Sequence, residues 1–220
     1  MLLERKIILG TENDHRIVLE KYACELSVNK LYESRSELQK HIESNGNGSL
    51  TWGYFPEIKD QNQYPKCRIL EEELSELLLS KINKNFSLAF IRLSVGKPAS
   101  DYGGLHIDVD IGVGHTRTTP YEIVRLIANI GDAPRTIEYI DIDSDDLKNM
   151  EVEISRDKYA IITPPKSIKI KKLEIPPREK DAIWILRFWS SLIPHAGITN
   201  EDGHFVAAYG MYSSGEDCKI

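Results

Sequence analysis

The pattern of hydrophobic and polar positions changes once along the chain, near residue 86. Before that point, short strand-like runs mix with two helical patterns. The clearer helix is predicted over residues 70–82, where leucine and isoleucine recur at helical spacing and form one apolar stripe. Such a stripe is typical of a helix that packs on a sheet. Residues 1–85 are therefore predicted to form a mixed, partly helical support.

From Phe86 onward, short β runs alternate with turn signals such as Gly131-Asp-Ala-Pro and Asn200-Glu-Asp-Gly. This pattern is typical of a β-sandwich or barrel. We predict a single domain over residues 1–220, mainly β with flanking helices, with its β-rich core over residues 86–215. The predicted strands are residues 87–95, 105–109, 122–130, 135–141, 158–162, 168–175, 182–186, 191–198 and 204–212.

Composition narrows the classes of protein to consider. The chain has 220 residues, of which 41% are hydrophobic and 28% charged, and no run approaches the roughly 20 apolar residues of a membrane span. Charges already occur among the first six residues, so we expect no secretory signal and a cytoplasmic location. The three cysteines, Cys24, Cys67 and Cys218, show no CxxC spacing and are expected to be free thiols.

The charge of the chain argues against a nucleic-acid partner. The formal net charge is −6, whereas proteins that bind phosphate backbones rely on clustered lysine and arginine. Several lysines do crowd residues 166–180, but they alternate with apolar residues, as on a strand with one wet face. We expect neither a nucleic-acid nor a membrane partner, and the oligomeric state stays open.

The segment Gly103-Gly-Leu-His-Ile-Asp-Val-Asp carries the candidate chemistry. On an extended strand, His106 and Asp108 point to the same face because side chains alternate. A second β run presents His195 beside a proline and a glycine. Two histidines and one carboxylate can occupy one face of an octahedron and leave three positions open, as in non-haem iron(II) oxygenases. The alternative is a structural His–Asp pair without a metal.

The order of helix, strand, Gly-rich approach, His-x-Asp and distal His followed by Gly resembles the iron(II)/2-oxoglutarate-dependent dioxygenases over about residues 70–212. The resemblance implies a double-stranded β-helix, the jelly-roll or cupin-like fold. It also implies that iron(II) is bound by His106, Asp108 and His195, and that 2-oxoglutarate and dioxygen take the remaining positions.

Many members of that family place an arginine or lysine about ten residues after the distal histidine, where it pairs with the far carboxylate of 2-oxoglutarate. Here that stretch reads Gly203-His204-Phe205-Val206. We therefore predict Arg125, on the strand after His-x-Asp, as the carboxylate anchor, with His204 as the alternative and Asn129 assisting. An arginine within an apolar strand needs an anionic partner.

The loop over residues 111–120 is a candidate lid, and its His115 and Arg117 either contact substrate or are exposed. Together these features predict an enzyme that hydroxylates a small molecule, and the retained Asp108 argues against halogenation. Two alternatives stay open. One is an oxygenase with the same triad that does not use 2-oxoglutarate, and the other is a β-helix binding module without turnover.

Overall fold

A computed structural model describes residues 6–9, 17–44, 51–56, 63–82, 85–95, 104–108, 122–140, 151–154, 159–164, 166–191, 193–198 and 203–213. Within them lie thirteen strands. They are β1 (Lys6–Leu9), β2 (Ile17–Ala23), β3 (Thr51–Tyr54), β4 (Ser87–Ser94), β5 (His106–Asp108), β6 (Glu122–Asn129), β7 (Arg135–Tyr139), β8 (Glu151–Ile154), β9 (Tyr159–Thr163), β10 (Lys171–Ile175), β11 (Ala182–Trp189), β12 (His195–Ile198) and β13 (His204–Ser213).

Two α-helices accompany the strands. Helix α1 spans Val28–Ser44, and α2 spans Pro65–Leu74 and continues as a π-helical stretch over Ser75–Leu79. The predicted helix thus begins earlier than expected, because proline is well tolerated in the first helical turn. Its apolar stripe is buried, and α2 contacts both α1 and β4, so the prediction that it packs on a sheet is confirmed. None of the described helices has the length and apolarity that a membrane crossing requires.

The strands form two antiparallel sheets. The larger sheet has the order β1-β2-β11-β6-β13-β4-β3, and the smaller has the order β10-β7-β12-β5-β9-β8. Successive strands alternate between the sheets: β4 and β6 belong to the large sheet, and β5 and β7 to the small one. Likewise, β11 and β13 belong to the large sheet and β12 to the small one. Antiparallel strands exchanged between two facing sheets in this order form a double-stranded β-helix, which confirms the predicted fold class.

Each of the nine predicted strands is present, with ends shifted by a few residues. The sequence did not predict β1, β2, β3 or β8. Strands β1 to β3 extend the large sheet, and the β8–β9 hairpin extends the small sheet beside β5. Strand β10 has the expected wet face, where Lys172 and Glu174 are exposed, while on the other face Leu173 is half-buried and Ile175 is buried. The division into one domain with a support and a core stays a prediction.

The core lies on both faces of the small sheet, and this positions β5. Ile107 belongs to an apolar cluster on the outer face of that sheet, with Leu105, Ile140, Ile162 and Ala196. Because side chains alternate along a strand, His106 and Asp108 point to the opposite face, toward the large sheet. His106 and Asp108 thus share one face of β5, as the sequence predicted.

Candidate metal centre and its cavity

Two neighbouring strands bring His106, Asp108 and His195 together. In the register of β12 and β5, His195 is paired directly with His106, and the centroids of the two imidazole rings are 4.4 Å apart. One ligand atom from each of the three side chains lies within 4.8 Å of the others. All three residues are buried. Atoms this close can share one ion, so the arrangement meets the geometric requirement of a three-residue metal site.

Backbone carbonyls orient both imidazoles. Nδ1 of His195 lies 2.9 Å from the carbonyl oxygen of Ile193, and Nδ1 of His106 lies 3.3 Å from that of Gly104. A ring N–H on Nδ1 donates to such a carbonyl and leaves the lone pair of Nε2 available. This is the outer hydrogen bond that fixes the tautomer of a metal-binding histidine.

The electrostatics of the pocket favour the ligand forms of these groups. Burial lowers the pKa of His195 from 6.5 to about 4, and the charge of the nearby His106 is the next largest cause of this shift. Burial acts to raise the pKa of Asp108, but the charges of Arg125 and His195 outweigh it and lower that pKa to about 2. Near neutral pH, His195 is therefore a neutral imidazole and Asp108 a carboxylate. Both are the protonation states that a divalent metal requires.

A cavity between the two sheets opens beside the three side chains. Three of its lining residues are arginines, each from a different strand: Arg92 on β4, Arg125 on β6 and Arg135 on β7. Among the described residues that line it, Asp108 is the one acid. The other lining residues are Phe90, His106, Ile127, Ile137, Phe188, His195, Gly197 and Ala208.

Arg125, the predicted carboxylate anchor, contacts the candidate metal ligand itself. Its Nε donates to Oδ2 of Asp108 over 2.7 Å. The anionic partner that the sequence required for this arginine is therefore at least in part Asp108. The structure places Arg125 at the metal end of the cavity, against a protein carboxylate.

Arg135 lies toward the other end of the cavity. It precedes by four residues Tyr139, the register partner of His195, so the two positions are separated by roughly 13 Å along β7. Nη1 of Arg135 contacts Nε2 of His204, the alternative anchor predicted from the sequence. Burial, then the charges of Arg135 and Arg92, lower the pKa of His204 to about 2, so this histidine is neutral. His204 thus accepts from Arg135.

Sequence reasoning missed Arg92 and Arg135. A signal for Arg92 was present, because it is a charged residue within a largely apolar strand, the same feature that singled out Arg125. Arg135 is the first residue of β7, directly after the predicted turn, in a strand that also contains Thr136 and Glu138, so it carried no such signal. In β4, Arg92 points to the same face of the sheet as Phe90, two residues before it, and both line the cavity.

The amide of Asn129 is directed at the backbone. Its Nδ2 donates to the carbonyl oxygens of Ala133, Ile175 and Pro176, and its Oδ1 accepts from the N–H of Gly131. These bonds use the donors and acceptor that a cosubstrate contact would need. The arrangement favours a structural role for Asn129, holding the turn after β6 against the end of β10.

Comparison with known proteins gives matches among solved structures. No protein-family model matches the sequence, and no curated protein is a significant match. The chain is similar to AviO1 from Streptomyces viridochromogenes Tue57, at 12% identity, 90% coverage of both chains and a TM-score of 0.48. It is similar to the epimerase SnoN, solved with Fe3+, alpha ketoglutarate and nogalamycin RO, at 10% identity, 88% and 78% coverage and a TM-score of 0.48.

A third similar structure is the Kdo hydroxylase KdoO, described as a non-heme Fe(II) alphaketoglutarate dependent dioxygenase in complex with alphaketoglutarate and Fe(III). It shows 12% identity, 88% coverage of this chain and 78% of its own, and a TM-score of 0.45.

His115, Arg117 and the candidate lid over residues 111–120 fall outside the described residues, so their predicted roles stay predictions. Tyr209 is described and buried. Its neighbour Ala208 lines the cavity, so the side chain of Tyr209 points to the opposite face of the large sheet, away from the candidate metal centre.

Proposed function

We propose that this chain is a mononuclear non-haem iron(II) oxygenase that uses 2-oxoglutarate and dioxygen to hydroxylate a small molecule. The observation that carries the proposal is the convergence of two imidazoles and one carboxylate on the wall of a cavity lined by arginines. The donor set is the one that suits iron(II) with open coordination positions.

Three residues would hold the iron. His106 and His195 present Nε2 because their Nδ1 atoms face backbone carbonyls, and Asp108 presents a carboxylate oxygen. When bound, iron(II) supplies the one-electron chemistry that activates dioxygen. The protein's share is to hold the His195 imidazole neutral, to orient both imidazoles and to bury the centre.

Arg135 is our proposed contact for the far carboxylate of 2-oxoglutarate. A 2-oxoacid that chelates the ion with its oxoacid end needs a cation for its other carboxylate, further along the cavity. Arg135 lines the cavity on the side away from His106, Asp108 and His195. Its planar guanidinium can donate two parallel hydrogen bonds to a carboxylate. We favour it over Arg125, whose Nε already donates to Asp108.

The cavity also supports a small-molecule substrate. Phe90, Ile127, Ile137 and Phe188 give it apolar walls. A cytoplasmic location belongs to the same proposal, supported by Cys24 and Cys67, which are buried free thiols.

The test is release of succinate from 2-oxoglutarate by the purified chain with iron(II) and ascorbate. We expect release by the wild type, and loss of at least roughly 100-fold in Asp108→Ala and His195→Ala. Arg187→Met, on the outer face of the large sheet, is the matched control and retains release. Equal release by wild type and Asp108→Ala would refute the proposal, and iron-dependent oxygen uptake without succinate would select the 2-oxoglutarate-independent alternative.

A further inference from the structure

Arg125 bridges the two sheets at the candidate metal centre. It extends from β6 in the large sheet, and its Nε donates to Oδ2 of Asp108 on β5 in the small sheet. The two side chains are 26% and 9% exposed, so the contact is partly sheltered from water. A charge-assisted hydrogen bond in such a place is short and directional.

This contact makes the two oxygens of Asp108 unequal. Because Oδ2 accepts a hydrogen bond from Arg125, Oδ1 is the oxygen more available to an ion. One carboxylate oxygen and two imidazoles fill three positions of an octahedron and leave three open, whereas a carboxylate that chelates through both oxygens leaves two. A chelating 2-oxoacid takes two positions, so the third is the one at which dioxygen can bind.

We infer that Arg125 is a positioning residue that restricts Asp108 to binding the metal through one oxygen and so keeps the third coordination position open. The inference rests on the proposed metal site. It assigns Arg125 a role that acts through Asp108 and that is separate from the cosubstrate contact predicted from the sequence.

Gly210 supplies a second, independent observation. In the register of β13 and β6, Gly210 is paired directly with Arg125. A Cβ atom placed on Gly210 would lie 2.7 Å from Nη1 of Arg125, so the guanidinium would have to move away. Among the described glycines, positive φ occurs at Gly203 and not at Gly210, so alanine at Gly210 fits the backbone. The glycine therefore reserves the space in which the guanidinium reaches Asp108.

The experiment uses manganese(II) alone as the probe, in the purified chain without cosubstrate. Broadening of the manganese EPR lines by 17O-water counts the water molecules bound to the ion. The variants are Arg125→Met, which removes the donor, and Gly210→Ala, which displaces it without changing any charge. The control is Arg187→Met, since Arg187 is similarly sheltered but contacts Glu20 on the outer face of the same sheet.

We expect three bound waters in the wild type and in Arg187→Met, and two in Arg125→Met and Gly210→Ala. Three waters in both test variants, or loss of manganese binding in both, overturns the inference. Two waters in Arg125→Met but three in Gly210→Ala supports the role of Arg125 and overturns that of Gly210. If the folded wild type binds no manganese, the proposed metal site itself fails, which is a distinguishable result.

Discussion

His106 and His195 are direct partners across the β5–β12 pair, although a large part of the chain separates them in the sequence. Their ring centroids lie 4.4 Å apart, and the ring of Phe188 meets His195 edge-on at 4.7 Å. The imidazoles are thus held by strand register, by backbone carbonyls and by packing. A site held in this way before metal arrives should bind metal without a large rearrangement.

Metal binding should therefore stabilise the folded chain. With free manganese(II) at about 100 times its Kd, the free energy of unfolding should rise by about 2.7 kcal/mol, because the ion binds the folded state and not the unfolded one. Urea titration with and without the ion measures this gain. In His106→Ala the gain should fall to near zero, and an equal gain in that variant would contradict the site.

Arg135→Met should raise the KM for 2-oxoglutarate by about 30-fold or more, since truncating one partner of a sheltered charge pair costs at least about 2 kcal/mol. A sharper readout uses 2-oxobutanoate, which lacks the far carboxylate. The wild type should prefer 2-oxoglutarate strongly, and Arg135→Met should lose most of that preference. If the preference persists in Arg135→Met but disappears in Arg125→Met, the sequence-based anchor is right and ours is wrong.

Stability should fall with acidification because of His204. Burial and the charges of Arg135 and Arg92 lower its folded pKa to about 2, against 6.5 for an unperturbed histidine. Between these values the unfolded chain binds the extra proton, so stability is present above pH 6.5 and is lost as the pH falls. From pH 7 to pH 5 this one group should cost about 2 kcal/mol.

The variant His204→Gln keeps a hydrogen-bond acceptor for Arg135 but does not ionise in this range. Its free energy of unfolding should therefore fall less steeply between pH 7 and pH 5 than that of the wild type, measured by urea titration at each pH. Parallel pH dependences in the two proteins would show that His204 does not contribute.

Gly203→Ala should be strongly destabilising. Gly203 has a φ of +73°, and a Cβ there would lie 2.4 Å from the carbonyl oxygen of Ser94. The left-handed conformation alone costs an alanine roughly 1–2 kcal/mol, and a backbone clash adds to it. Gly104→Ala is the matched control, since a Cβ at Gly104 meets nothing within 4 Å. Thermal unfolding of the two variants provides the comparison.

The sequence predicted most of the β-rich core because its strands are long or lie between clear turn signals. It also predicted that His106 and Asp108 share a face, since parity follows from local geometry. It did not reveal β3 or β8, which have four residues each and show too short a pattern to identify.

The contacts of the arginines could not be predicted from the sequence, for a different reason. Arg125 and Arg92 each stand in a largely apolar strand and therefore need a partner, whereas Arg135 begins a strand of mixed polar and apolar residues. Which of them meets Asp108 and which meets His204 depends on how the two sheets face each other. That depends on contacts between strands far apart in the chain, which no local pattern encodes.

The exchange of strands between the two sheets has a consequence for biosynthesis. β5, with His106 and Asp108, pairs with β12, which is synthesised well after it. A ribosome-bound chain can thus present two of the three candidate ligands long before the third emerges. Iron loading should therefore follow the emergence of β12 from the ribosome, and chains truncated before β12 should carry no metal.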